Sequence, residues 1–281
     1  MVQVGVHVSI AGSISQSVVR AKKAGCDTFQ IFSRNPRGWA CKALAEEDVS
    51  AFRQALDKTD MRPVVDHMPY LPNLATPKED LYEKSVETLV TELERCRVLG
   101  IPYLVTHLGH HPGDGIEKGR ARVIAAVNRA LETSEGDVML LLENTAGEKN
   151  GVGSTLEDIR DVLAGIERPE KVGVCFDTCH AFAAGYDLRT EKAIGDVTDR
   201  FNDLIGLDRI MVVHLNDTKG DLGSGLDRHE HIGLGYIGQE GFFNILHNEV
   251  FRGRPLICET PVDERRDDAG NIAVVRELAG S

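Results

Sequence analysis

The chain has 281 residues, 42% hydrophobic and 27% charged, with 32 Lys+Arg against 44 Asp+Glu and a formal net charge of -12. That composition excludes a disordered, collagenous or disulfide-scaffold protein, and no apolar run reaches the roughly 18 residues a membrane helix needs. On bulk charge alone, the acidic balance also speaks against a polyanionic partner.

The N-terminal stretch Met1 to Ser13 lacks the basic-then-apolar layout of a secretion signal. The six cysteines Cys26, Cys41, Cys96, Cys175, Cys179 and Cys258 are scattered without a CxxC pair. They read as reduced thiols of a cytoplasmic protein, with Cys175, Cys179 and Cys258 as small buried hydrophobes.

Short β-rich runs alternate with longer helical patterns. The runs are Val2–Val8, Thr28–Phe32, Pro63–Asp66, Tyr103–Thr106, Val138–Leu142, Val172–Phe176, Ile210–Val213 and Pro255–Cys258. Seven are nearly continuous apolar stretches, the mark of strands covered on both faces. Helical periodicity fills Leu81–Leu99, where Leu81, Val86, Leu89, Val90 and Leu93 form a stripe. It also fills Ala121–Leu131, Thr155–Leu163, Ala193–Ile205 and Gly241–Val250. Thr155, followed by Glu157 and Asp158, has the chemistry of a helix start. Eight strands alternating with helices, without a linker or a repeat, predict an α/β fold, a (β/α)8 TIM barrel in which residues 1–281 form one domain. The rival doubly wound sheet would place a GxGxxG turn after the first strand, where this chain has Ser9-Ile10-Ala11-Gly12-Ser13.

The residue that closes each run is the informative feature. The third to eighth runs end in His67, His107, Glu143, Asp177, His214 and Glu259, with His180 three residues beyond Asp177. In a barrel those ends converge on the face where active sites are built. Six such groups at one mouth would repel and desolvate one another, and a cation is the simple remedy. Imidazole nitrogen mixed with carboxylate oxygen is a ligand set for zinc, and suits manganese or iron. The loop after the seventh run adds Asp227 and His229, two apart and therefore on one side of an extended chain. Five histidines and four carboxylates suffice for two or three metals if one carboxylate bridges, and multi-metal clusters carry out in-line displacement at phosphorus.

Three stretches carry a family resemblance: Leu141-Leu142-Glu143-Asn144-Thr145-Ala146-Gly147; Val174 through Asp187, with Asp177-Thr178-Cys179-His180 at its centre; and His214-Leu215-Asn216-Asp217 with Asp227-Arg228-His229. The chain resembles the endonuclease IV family of apurinic/apyrimidinic (AP) endonucleases from Gly5-Val6-His7-Val8-Ser9 to Glu259-Thr260. The resemblance implies three Zn2+ ions per chain, with Mn2+ or Fe2+ as partial substitutes. One would be held by His67, His107 and Glu143; a second by Glu143, Asp177, His214 and Glu259; a third by His180, Asp227 and His229. Glu143 would bridge and position a metal-held hydroxide as nucleophile. The implied partner is damaged duplex DNA, cut 5′ to an abasic site to leave a 3′-hydroxyl and a 5′-deoxyribose phosphate, with blocked 3′ ends trimmed at the same centre. A monomer is implied, with no membrane partner. Arg37, Tyr70 and Leu71 match the lesion-reading wedge. The chain departs from many members at Asp66-His67-Met68-Pro69 and at His107-Leu108-Gly109-His110-His111, which reads as loop histidines. His7 and His231 are strand-end and loop histidines without an assigned ligand role, each able to orient a ligand or touch phosphate, and His247 reads as structural.

Basic residues after the strands (Arg34, Arg37, Lys149, Arg189, Lys219 and Arg228) suggest a positive mouth on an acidic outer wall. Three divalent ions would halve the formal charge. The alternative is a divalent-metal sugar isomerase or epimerase on a related barrel, which has no need of the third ligand group. A catalytically silent lesion binder has no need of any of the nine ligands.

Overall fold

Eight parallel strands run round a barrel in the computed structural model, which describes residues 1–280. In chain order the elements are β1 (Gln3–Val6), α1 (Ser15–Ala24), β2 (Phe29–Ile31), α2 (Glu46–Leu56), β3 (Val64–His67), α3 (Glu79–Leu99), β4 (Tyr103–His107), α4 (Ile116–Thr133), β5 (Met139–Glu143) and α5 (Leu156–Ala164). Then come β6 (Val172–Asp177), α6 (Thr178–Ala183), α7 (Glu191–Leu204), β7 (Ile210–His214), a two-residue hairpin β8 (Asp217–Thr218) and β9 (His229–Glu230), α8 (Gly238–His247), α9 (Glu249–Arg252), β10 (Pro255–Cys258) and α10 (Asp268–Leu278). The sheet runs β1-β10-β7-β6-β5-β4-β3-β2. A parallel bridge between His7 and Gln30 brings β2 back to β1. The fold is the TIM barrel expected from the alternation of strands and helices.

Two apolar layers hold it together. Outside the strands, residues such as Val4, Phe29, Leu104, Leu140, Phe176 and Leu256 pack against the helices. Inside, Val65, Val105, Leu141, Cys175, Val212 and Ile257 form one ring, a residue from each of six strands. Both faces being buried is why the strand sequences read as unbroken apolar runs. Gly5 is required by the packing of β1 on β2, since a Cβ there would lie 1.6 Å from the Thr28 carbonyl oxygen.

Every expected strand is present, within two residues of its expected ends. Thr155 caps α5 by accepting from Asp158 N at 3.1 Å. The expected helix Gly241–Val250 begins earlier and breaks at Asn248, which is extended and caps α9 by accepting from Val250 N at 3.0 Å. The stripe on α3 buries Val86, Leu89 and Leu93 but also Glu92, Arg95 and Cys96. Its acidic face is therefore not all on the outer wall. No helix among the described residues is long and apolar enough to cross a membrane.

Five of the six thiols are buried, and Cys41 is exposed. Burial pushes Cys26 up to about 11 and Cys175 and Cys179 up to about 12. A thiol reagent acts on the thiolate and needs access. One equivalent should therefore react rapidly with a disulfide reagent in the native protein, and six after denaturation. Rapid reaction of more than one would contradict this packing.

Candidate metal centre at the mouth of the barrel

Strand alternation builds the site. Side chains two residues apart on a strand share a face. Each member of the inner ring is followed two positions later by a polar residue: Val65 by His67, Val105 by His107, Leu141 by Glu143, Cys175 by Asp177, Val212 by His214, Ile257 by Glu259. Those six form the next layer up, at the C-terminal mouth. Direct register pairs His107 with Glu143 and Asp177 with His214. Asp177 also caps α6, accepting from His180 N at 2.8 Å, and this turn carries His180 back over the mouth.

The remaining two residues come from the loop that ends in β9. The β8–β9 hairpin closes it, pairing Thr218 with His229 while Lys219 N donates to the Arg228 carbonyl at 2.9 Å. Asp217, buried at the base of that hairpin, ties it to the segment after β9: its carboxylate accepts from the backbone N–H of Thr218 (2.8 Å), Gly235 (2.8 Å), Ile237 (3.0 Å) and Gly238 (3.3 Å). A Cβ on Gly235 would fall 2.3 Å from the Thr218 carbonyl oxygen, so this close approach needs glycine.

The nine residues fall into three groups whose ligand atoms lie within 4.8 Å of one another: His67, His107 and Glu143; Glu143, Asp177, His214 and Glu259; His180, Asp227 and His229. Glu143 is common to the first two. One of its oxygens is 3.1 Å from His67 Nε2 and 3.0 Å from His107 Nε2, and the other is 2.9 Å from His214 Nδ1. His214 Nδ1 also lies 3.3 Å from Glu259. In the third group Asp227 is 3.2 Å from His180 Nε2 and 3.4 Å from His229 Nε2. A fourth grouping, Asp177, Cys179 and His229, shares two members with these, and its thiol keeps its proton up to about 12.

The tautomers suit a cation. Nδ1 of His67 donates to the Met68 carbonyl at 2.7 Å, that of His180 to Asn144 at 2.9 Å, and that of His229 to Glu259 at 3.0 Å. Each Nε2 is thereby left with a lone pair facing the carboxylates, the arrangement in which imidazoles bind metals. His229 Nε2 is buried and has no hydrogen-bond partner. An orphaned nitrogen among carboxylates is costly unless a cation completes it. The donor set of imidazole and carboxylate matches zinc and tolerates manganese or iron.

The metal-free electrostatics agree. Burial would push the Glu143 carboxyl up, but the imidazoles of His107, His214 and His180 hold it well below the usual carboxylate range. Burial likewise opposes charge on His180 and His214. Asp177, Asp227 and Glu143 outweigh it for His180, and Cys175, Glu259 and Glu143 for His214, so both are held well above an ordinary histidine. Protons therefore occupy the centre of the cluster.

The other expected site residues lie at the rim. Arg37, Tyr70 and Leu71 are all exposed. Tyr70 walls a pocket of about 380 Å³ whose floor holds His67, His107, His180 and His229, while Arg37 and Leu71 stand outside its lining. The Tyr70 ring meets Phe32 edge-on at 5.0 Å, and Tyr70 N donates to the Pro36 carbonyl at 3.1 Å, joining the Tyr70 and Arg37 loops.

Two of the basic residues assigned to a positive mouth are engaged elsewhere. Arg34 is buried, 3.4 Å from the carboxylate of Glu92, and donates to the Gly38 carbonyl at 3.1 Å. Arg189 pairs with Asp187 at 2.9 Å. Arg37, Lys149, Lys219 and Arg228 are exposed. His110 is exposed beside Glu148, His231 is buried between Asp263 and Asn271, and His247 stacks on Phe243.

Three buried amides around this cluster escaped the sequence reading. Asn216 donates to Asp177 at 2.7 Å, and Asn144 accepts from Asp177 N at 2.8 Å. Gln30 touches both His214 and Glu259. A signal for Gln30 was available, since an amide at the inward position of Phe29-Gln30-Ile31 has to find polar partners inside the barrel.

A family model described as a xylose isomerase-like TIM barrel matches residues 18–278. The protein of Methanoculleus marisnigri called "Probable endonuclease 4" is 64% identical over 282 aligned positions, covering 100% of both chains. Among solved structures, endonuclease IV from Thermus thermophilus superposes with a TM-score of 0.87 at 37% identity, covering 99% of each chain. A D-tagatose 3-epimerase-like protein superposes with a TM-score of 0.74 at 20% identity over 98% of this chain and 97% of its own, a likeness of fold alone.

Proposed function

Because this chain belongs to the endonuclease IV family, we propose that it is a metal-dependent AP endonuclease of DNA base excision repair. It hydrolyses the phosphodiester on the 5′ side of an abasic site in duplex DNA, leaving a 3′-hydroxyl and a 5′-deoxyribose phosphate, and removes blocking groups from 3′ ends. The observation that carries the reading is the triple cluster around Glu143, Asp177 and Asp227. A one- or two-metal sugar isomerase has no use for His180, Asp227 and His229 as a third group.

In this reading His67, His107 and Glu143 hold one zinc-type ion, Glu143, Asp177, His214 and Glu259 a second, and His180, Asp227 and His229 a third. Such ions supply Lewis-acid charge and a nucleophile of lowered pKa at neutral pH. The protein's own part is positional. Glu143, fully buried, faces both neighbouring groups and keeps them in register. Asn216 and Asn144 fix Asp177. The β8–β9 hairpin delivers Asp227 and His229, and Asp217 ties its base to the 235–238 segment. No side chain acts as nucleophile. The abasic nucleotide, already lacking its base, is cheap to flip into the pocket, and Arg37, Tyr70 and Leu71 fill the gap it leaves in the duplex. Residues 1–281 act as one domain, as a monomer, in the cytoplasm, where exposed Cys41 stays reduced.

Incubation with duplex DNA carrying one abasic site, and in parallel with a ketohexose, separates the two activities. Cleavage of the first without turnover of the second supports the reading, and ketose turnover without cleavage overturns it. Arg37→Ala is expected to weaken binding to abasic duplex by about tenfold to a hundredfold, the equivalent of roughly 1–3 kcal/mol, with kcat at saturation unchanged. Fluorescence anisotropy with labelled duplex measures this, and unchanged affinity would make Arg37 a solvated loop arginine with no part in lesion reading.

A further inference from the structure

Gln30 sits on β2 with no exposed surface, facing into the barrel among the proposed ligands. Its amide makes three contacts. Oε1 is 2.8 Å from Nε2 of His214, Nε2 is 2.6 Å from Oε1 of Glu259, and the same Nε2 is 3.0 Å from Nδ1 of His7. These contacts allow one assignment only. A carboxylate accepts and does not donate, so the amide NH2 faces Glu259. The amide oxygen then faces His214, whose Nε2 must carry the proton. His214 Nδ1 is then the nitrogen whose lone pair a cation would use, and it is this atom that lies 2.9 Å from Glu143 and 3.3 Å from Glu259. His7 Nδ1 accepts the second amide N–H.

His67, His180 and His229 have their tautomers set by backbone carbonyls. His214 differs, since it offers Nδ1 and not Nε2 to the cluster and relies on a side chain to hold the other nitrogen.

We propose that Gln30 is a positioning residue for the metal centre: one amide fixes which nitrogen of His214 is offered to the cation and holds the Glu259 carboxylate in place beside it. The inference rests on the metal reading above and adds to it a determinant of affinity that touches neither cation nor DNA.

The test uses Gln30→Met, of similar length without hydrogen bonds, and Gln30→Glu, which keeps an acceptor toward His214 but sets a carboxylate against Glu259. Zinc affinity is measured without DNA, by competition with a chromophoric chelator. The His214 Nε2–H is followed by 15N-edited NMR of the zinc-loaded chain. In the wild type that proton is expected to be resolved and slow to exchange. In Gln30→Met it should be lost to exchange, with one of the bound ions held about 10–100-fold more weakly and kcat lowered at unchanged KM for abasic duplex. Gln30→Glu should keep the His214 proton and still lose zinc. Wild-type zinc affinity in both variants, with the proton still resolved, overturns the clamp and leaves the metal reading standing. A wild-type chain that takes up no zinc overturns the metal reading and the clamp together. Should Gln30→Met not fold, Gln30→Glu with wild-type zinc affinity is by itself sufficient to reject the clamp.

Discussion

Glu143→Gln is expected to lower the rate of abasic-site cleavage by on the order of 10³-fold, about 4 kcal/mol on the barrier, while the protein remains folded. Glu143 is the one residue shared by two of the three ligand groups, and its two oxygens face three imidazoles within 3.1 Å. The amide has nearly the same shape, so the surrounding ring of Val105, Leu141 and Cys175 need not repack. It removes the negative charge and turns an NH2 group toward imidazole nitrogens or cations. On the proposed metal reading, either half of the shared site would then lose its anionic ligand, and both ions would be weakened together. Single-turnover kinetics on an abasic duplex measure the loss, and circular dichroism checks the fold. Near-wild-type turnover in a folded Glu143→Gln would remove Glu143 from its central role.

Stripping the metal is expected to abolish cleavage and to lower Tm on the order of 10 °C, since ions held at 1,000 times their Kd contribute about 4 kcal/mol and a domain of this size shifts by a few degrees per kcal/mol. The fold should survive, because the metal-free cluster compensates itself with protons. His107, His180 and His214 all have raised pKa values in the metal-free chain, against the effect of burial, because the carboxylates of Glu143, Asp177, Asp227 and Glu259 surround them.

These raised values set the sign of the pH dependence. A raised histidine pKa means the metal-free site carries protons at neutral pH. A cation has to displace them, so zinc binding releases protons and its apparent affinity rises with pH. Calorimetry in buffers of different ionisation enthalpy should report proton release near neutral pH that falls toward zero as pH rises through those pKa values. Proton uptake on zinc binding would contradict the arrangement.

The barrel and the polar layer at its mouth were legible for one physical reason. A strand buried on both faces is apolar throughout, so the first polar residue past each run marks the C-terminal mouth, and two-residue alternation then fixes its direction. Leu141 and Glu143 are the plainest case. The features that stayed hidden lacked that contrast. Helix α1 has no side-chain cap and buries only Ser17, Val18 and Ala21, and α2 begins on Ala45 without a cap. Helix α6 is a single turn inside a motif read for its ligands. Glu92 and Arg34 looked like surface charges because no periodicity shows that they meet 3.4 Å apart beneath the Arg37 loop. Gln30 broke the apolar run of its strand, so its need for polar partners was legible, but which ligand residues it meets was not. His214 and Glu259 lie 184 and 229 positions away in sequence.

The net charge of -12 bears on selectivity. With Arg34 and Arg189 already paired, the exposed cations Arg37, Lys149, Lys219 and Arg228 are left at the mouth to attract undamaged duplex against an acidic whole. Non-specific affinity should therefore be modest and salt-sensitive, with recognition resting on the lesion.

Metal-dependent incision at an abasic site is tested most directly by one reaction: purified protein, a duplex carrying a single abasic site, and product mapping at nucleotide resolution with and without chelator. The expected result is a single cut immediately 5′ to the lesion with a 3′-hydroxyl end that a polymerase extends, lost on chelation and restored by zinc. An intact duplex under metal-replete conditions, or the same cut undiminished after complete removal of metal, would contradict it.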